Sequence, residues 1–221
     1  MNKHDPTIAN LIQATHKYFP IGFSTLKENY PGYSILLNII EAKINSLTEG
    51  KPPEIIKNLI IDIDKEIVTL GIEDMLHKQF PNYALSIVLY KNDSNEIHTT
   101  IRLNIRISLI ANYFTLYFEE VSIHKNVSSL QHEFLPVRTH ILSSSSALIN
   151  NDQYIYNTVA NLTKTYFPDF DLIKHYPLFT TEVRYGIPHG VLETFPPVIY
   201  PIYAFLFDNE YTYMSNIHVV V

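Results

Sequence analysis

A chain of 221 residues with 46% hydrophobic and 17% charged side chains is long enough to bury a core and too apolar to be disordered. Its 16 basic and 22 acidic residues give a net charge of −6, which opposes binding to a nucleic-acid backbone and favours a weakly acidic protein or a neutral ligand as partner. With no cysteine, no apolar leader behind Met1 and no uncharged run of the ~20 residues that a membrane helix needs, disulfides, thiol chemistry and a membrane span are excluded and a soluble cytoplasmic protein is expected.

Asp5 and Pro6 form an N-cap and first-turn pair, and Ile8, Leu11, Ile12, Thr15 and Phe19 recur at helical spacing up to Pro20. A second helix carries Tyr33, Leu36, Leu37, Ile40, Ile44 and Leu47 on one stripe and stops at Gly50, and its extra Ile35 and Ile39 predict burial on more than one side. The third begins at Pro52 and Pro53, places Ile56, Leu59, Ile60, Ile63, Ile67 and Leu70 on its apolar face and ends at Gly71. A short fourth helix is predicted over 72–80, closed by Pro81.

The period then changes from 3.6 to 2. Tyr83 to Lys91 is rich in branched and aromatic residues, and Asn92 to Asn95 is a polar turn. Ile97, Thr99, Ile101, Leu103, Ile105 and Ile107 alternate with polar neighbours, and Tyr113 to Ile123 completes a meander. From His124 to Asn151 the pattern weakens, which predicts a loop or subdomain connection. Asp152 to Phe167 is helical. From Thr180 onward short strands are predicted, ending in a hairpin of Ile202–Phe207 and Tyr211–Val221 around Asp208-Asn209-Glu210. The expected architecture is α+β in one domain spanning 1–221: an N-terminal helical layer on an antiparallel β-meander, then a helix and a second set of antiparallel strands.

Motifs that announce chemistry are missing. The six glycines never stand in G-x-G spacing, no G-x-S-x-G occurs, and His132-Glu133 runs into Phe134-Leu135-Pro136 rather than H-E-x-x-H. His124, His132 and His140 recur every eight residues, a spacing that converges neither on a helix nor on a strand, so no metal and no cofactor are expected. Asp62 and Glu66 share a helix face with Lys65 nearby, which is ordinary for a solvated helix. Tyr185-Gly186-Ile187-Pro188-His189-Gly190 is a turn whose flexible frame around His189 could also serve as a binding loop.

The meander's polar face is the most informative surface. His98, Arg102, Asn104 and Arg106 lie in a row, and a tight hairpin at 109–112 sets Tyr117 opposite Asn104 and Glu119 opposite Arg102. Arg, Tyr and Asn on a rigid sheet have the chemistry of a protein interface. The expected function is therefore a non-enzymatic protein-binding module of the inhibitor or toxin-neutralising immunity type, contacting its partner through His98, Arg102, Asn104, Arg106, Tyr117 and Glu119. The alternatives are a hydrolase using His and carboxylate groups near His124 to His140 or at His189, and a small-ligand binder with an aromatic pocket.

Overall fold

A computed structural model describes residues 8–22, 26–129, 132–191, 199–212 and 216–221, with the side chains of 126–129 and 132–136 left out of the description. In chain order the elements are α1 (Ile8–His16), α2 (Pro31–Thr48), α3 (Glu54–Glu66), β1 (Gly71–Asp74), β2 (Asn82–Asp93), β3 (Ile97–Ser108), β4 (Tyr113–Ser129) and β5 (His132–Ser143). They continue with α4 (Asp152–Tyr166), β6 (Asp171–Lys174), α5 (His175–Thr180), β7 (Glu182–Val183), β8 (Tyr200–Pro201), α6 (Ile202–Leu206) and β9 (Ile217–Val219). The class is α+β. A sheet of order β1-β2-β3-β4-β5-β9 is antiparallel except for β9 on β5, and β6 adds in parallel to β4. β7 and β8 pair separately.

Strand parity divides the sheet into two faces. Ile101, Leu103, Ile105 and Ile107 of β3, with Phe114, Leu116 and Phe118 of β4, pack under α3 and α4 against Ile56, Leu59, Ile63 and Val159. The opposite face lies under α1, α2, α5 and α6, where Leu11, Phe19, Leu36, Leu178 and Phe205 join Tyr117 and Leu142. The N-terminal helices thus divide between the faces rather than forming one layer. Gly50 ends α2 with φ +70, the left-handed stop expected after its last turn. At the start of α2 a Cβ on Gly32 would lie 1.9 Å from the Lys17 carbonyl oxygen, so α1 and α2 meet closely because this residue has no side chain.

Several expectations are corrected. Residues 72–80 are not a helix: β1 pairs with Asp74 opposite Leu85 and Gly71 opposite Val88, and the Asp74 carboxylate accepts the Leu76 N–H at 2.8 Å to close the strand. Sheet pairing overrides a short apolar pattern that could serve either state. The expected connection at 124–151 is mostly strand, because β4 runs on to Ser129 and β5 returns along it. Pro136 sits opposite Ser128, within an irregular stretch of the ladder, where a residue without an N–H is tolerated. The terminal hairpin is also absent: Ile202–Leu206 is a buried helical turn with Pro201 at its N-cap, and Ile217–Val219 joins β5 in parallel. Ile35, read as buried on a second side of α2, is 51% exposed, and α3 stops at Glu66, so Leu70, read on its apolar face, is 64% exposed and Gly71, read as its stop, opens β1 because it pairs with Val88. The Asp5-Pro6 cap lies outside the described residues.

Candidate functional site

The register of the meander is as expected: Arg102 faces Glu119, Asn104 faces Tyr117 and Arg106 faces Thr115. The predicted exposure of this face is not. Asn104, Arg106, Tyr117 and Glu119 are all buried, and only His98 and Arg102 stay partly open. What covers the former is α6 and the residues that follow it, read in the sequence as a hairpin with a solvent turn.

Arg106 is the hub. Its Nε donates to Asp208 Oδ2 at 3.1 Å, Nη2 to Glu210 at 3.2 Å, and Nη1 to the Leu85 and Ile105 carbonyls at 3.0 and 3.1 Å. Asp208 Oδ2 also accepts from Asn82 Nδ2 at 3.0 Å and the Tyr203 hydroxyl at 3.1 Å, while Oδ1 accepts the Glu210 N–H at 3.1 Å. The Tyr117 hydroxyl lies 3.0 Å from that of Tyr203 and 3.2 Å from that of Tyr211. Burial raises the pKa of all three tyrosines. For Arg106 burial alone would lower the pKa, but the tyrosine oxygens and Asp208 hold it well above the ordinary value.

Beside this hub, Glu119 accepts from Asn104 Nδ2 at 3.1 Å and meets His140 Nδ1 at 2.8 Å, and Asn104 in turn accepts the Ser86 hydroxyl. Burial would raise the Glu119 pKa; the bonds from His140 and Asn104 and the charge of Arg106 outweigh it and hold the carboxyl below its ordinary value. Lys43 reaches in from α2, where its Nζ donates to the carbonyls of Lys78, Phe80 and Asn82 at 2.6, 2.8 and 3.1 Å. Burial lowers its pKa to about 8, against the pull of Asp208. Lys78 pairs with Glu210 at 3.3 Å. Three cations (Lys43, Lys78, Arg106) therefore balance three anions (Glu119, Asp208, Glu210).

Along the same face toward the β2–β3 turn, the character changes. His98 Nδ1 lies 3.5 Å from Asp93 and its Nε2 3.1 Å from the Thr100 hydroxyl. Arg102 leans toward Glu73, Nε to Oε2 at 3.5 Å, yet that buried Nε–H makes no hydrogen bond. Although Glu119 is opposite Arg102 in the ladder, its carboxylate is committed to His140 and Asn104, and Arg102 turns to Glu73 instead.

The histidine series does not converge. The register puts His124 on the α3/α4 face and His140 on the Arg106 face, and the His132 side chain lies outside the described residues. Among the described residues no group of three His, Cys, Asp or Glu is placed to hold a metal ion. His189 is tucked against the fold, its Nδ1 3.0 Å from the Tyr33 hydroxyl and its ring edge-on to Phe80. Burial, then the charge of Lys27, lowers its pKa. Asp62 bonds Lys65 and Tyr166 on the surface, as a solvated helix face does.

Sequence reasoning missed Lys43, Asn82, Tyr203, Asp208 and Tyr211. A signal existed in β3: its covered half carries Asn104, Arg106 and Ser108 on the polar parity, whereas a water-facing strand more often shows Lys, Glu and Thr. No described helix is long and apolar enough to cross a membrane. No family model matches this chain, and no curated protein or solved structure matches it either.

Proposed function

We propose that this protein is a non-enzymatic binding module for another protein, an inhibitor of the toxin-neutralising kind, and that it docks through the open half of the Arg106 face around His98 and Arg102. The observation that carries this reading is the contrast in charge along one face. In the covered half the ionisable groups satisfy one another. In the open half Lys91, Arg102, Lys125 and Arg138 lie with Glu73, Asp93 and Glu96, four cations against three anions, or +1, on a chain of net charge −6. A local basic patch on an acidic protein steers and orients an acidic partner surface. The Arg102 side chain is 31% exposed and its pairing with Glu73 is long, 3.5 Å, so its guanidinium stays open to a partner carboxylate. Asn104, Arg106, Tyr117 and Glu119 then act as the rigid bed of this surface and do not touch the partner.

The test is a photo-reactive amino acid at position 98, introduced in the native host. One crosslinked protein is expected, and Arg102→Glu should abolish the adduct while leaving the melting transition unchanged. Crosslinking that is absent, or indifferent to Arg102→Glu, overturns the reading.

One observation favours a second reading, a hydrolase. A carboxylate 2.8 Å from an imidazole Nδ1, as in Glu119 and His140, is the arrangement that orients a neutral histidine as a general base. A hydrolytic activity lost in His140→Gln and kept in Arg102→Glu would favour it over the binding module.

A further inference from the structure

Strands β5 and β6 approach β4 from opposite directions along the same edge. The β6 ladder ends with Lys174 opposite Leu116, and the β5 ladder ends with Ser143 opposite Phe118. The carboxyl ends of two strands therefore face each other across a single β4 residue, Tyr117, and both chains leave the sheet there. A cleft of about 300 Å³ opens at this break, lined by Ser144, Gln153, Tyr156, Lys174, His175, Tyr176 and Val221. Its volume is at the low end of the roughly 300–1,000 Å³ typical of small-molecule sites, and crevices outside the carboxyl ends of strands that diverge are where open sheets commonly bind ligands.

The chemistry of the walls is specific. His175 is 2% exposed, and its Nε2 donates to the Val220 carbonyl at 2.8 Å, which ties the start of α5 to the segment after β9. Burial lowers its pKa against the pull of the Val220 and Leu142 carbonyls, so it is a neutral, fixed part of the wall. Lys174 supplies the positive charge. Ser144 brings a hydroxyl, Gln153 an amide whose Nε2 donates to Asn157 at 3.0 Å and whose oxygen can accept, Tyr156 a phenol that donates to the Leu116 carbonyl at 3.5 Å and can accept, and Tyr176 a ring, and among the described residues no acidic side chain lines the cleft. Neutral hydrogen-bonding groups around one ammonium match a ligand with one negative charge and several hydroxyls.

We infer that this cleft binds a small hydroxylated organic acid the size of one sugar ring, with its carboxylate on Lys174 and its hydroxyls on Ser144, Gln153 and Tyr156. The site is independent of the docking surface around Arg102.

The probe is glucuronate, titrated into isotope-labelled protein and followed by amide chemical shifts. Saturable shifts confined to residues 144, 153, 156 and 174–176 are expected. Lys174→Met should weaken binding about tenfold, as for loss of one charge-assisted hydrogen bond, and Gln153→Ala by a smaller factor. Arg102→Glu should leave the titration unchanged. Glucose, which lacks the carboxylate, and benzoate, which lacks the hydroxyls, should each bind at least about tenfold more weakly than glucuronate. Absence of saturable shifts, equal affinity for glucose, tighter binding of benzoate, or full affinity in both Lys174→Met and Gln153→Ala overturns the assignment.

Discussion

Odd positions of β3 put Ile101, Leu103, Ile105 and Ile107 under α3 and α4, while even positions put Asn104, Arg106 and Ser108 under α6 and the residues after it. All seven are buried, but they are held by different physics. The first set gains by leaving water, and the gain depends on area and fit, not on the direction of any bond. The second gains little from burial and depends on each donor finding its acceptor, because a desolvated charge without a partner is costly. One alternating strand can therefore serve two cores, a forgiving one and an exacting one, provided the second is completed by the right carboxylate.

That contrast can be broken experimentally. Arg106→Ala removes the partner of a carboxylate that is 2% exposed and should destabilise the fold by about 3–5 kcal/mol, measured by urea unfolding. The double variant Arg106→Met with Asp208→Leu should be less destabilised than Arg106→Ala; if the two losses instead add, the exacting character assigned to this face is wrong. On the other face Ile105→Ala should cost about 2–5 kcal/mol, but the conservative Ile105→Val only about 0.5–1.5. Arg106→Lys should cost more than Ile105→Val, since one ammonium cannot replace a forked guanidinium.

Tyr203→Phe deletes one bond to the Asp208 carboxylate and should cost about 1–3 kcal/mol with no change in helix content by circular dichroism. Acid exposes the polar face selectively. Because the Glu119 pKa in the fold lies below its ordinary 4.5, its contribution is complete above pH 4.5 and is lost as the pH falls through the lower, folded value. His140→Gln should flatten the fall in stability over that range, and an unchanged slope would remove Glu119 from the account. The smallest effect is reserved for the open half of the face: Arg102→Ala should stay within about ±0.5 kcal/mol of the parent.

How much of this was legible depends on whether the determining contact is local. α2 shows its stripe and its stop residue within one window, α3 shows its stripe but not its end at Glu66, and the 109–112 hairpin fixes the register of β3 on β4 through alternation and loop length alone. β1 and α6 were misread because runs of four and five residues are too short for either period to declare itself, and pairing or burial elsewhere decided them. The site was half visible. Arg102 and Arg106 were recognised as sharing a face, but what separates them is Asp208, 102 residues from Arg106 in the chain, and no pattern in β3 points to it.

The position of Asp208 also sets an order of events during synthesis. Every residue of the core under α3 and α4, up to Leu172 in β6, has been made by residue 174, so that layer can close while the rest of the chain is still being translated. The segment that neutralises Arg106 emerges only after residue 200. For the time the ribosome takes to add those last tens of residues, at about 5–20 per second, the nascent protein carries a sheet that lacks only β9 and has one side covered. On the other side a guanidinium, an amide and a phenol face water. Because β3 is polar on that side, the alternation that later demands an exact set of partners first keeps the strand from presenting a bare apolar face while the last segment is made.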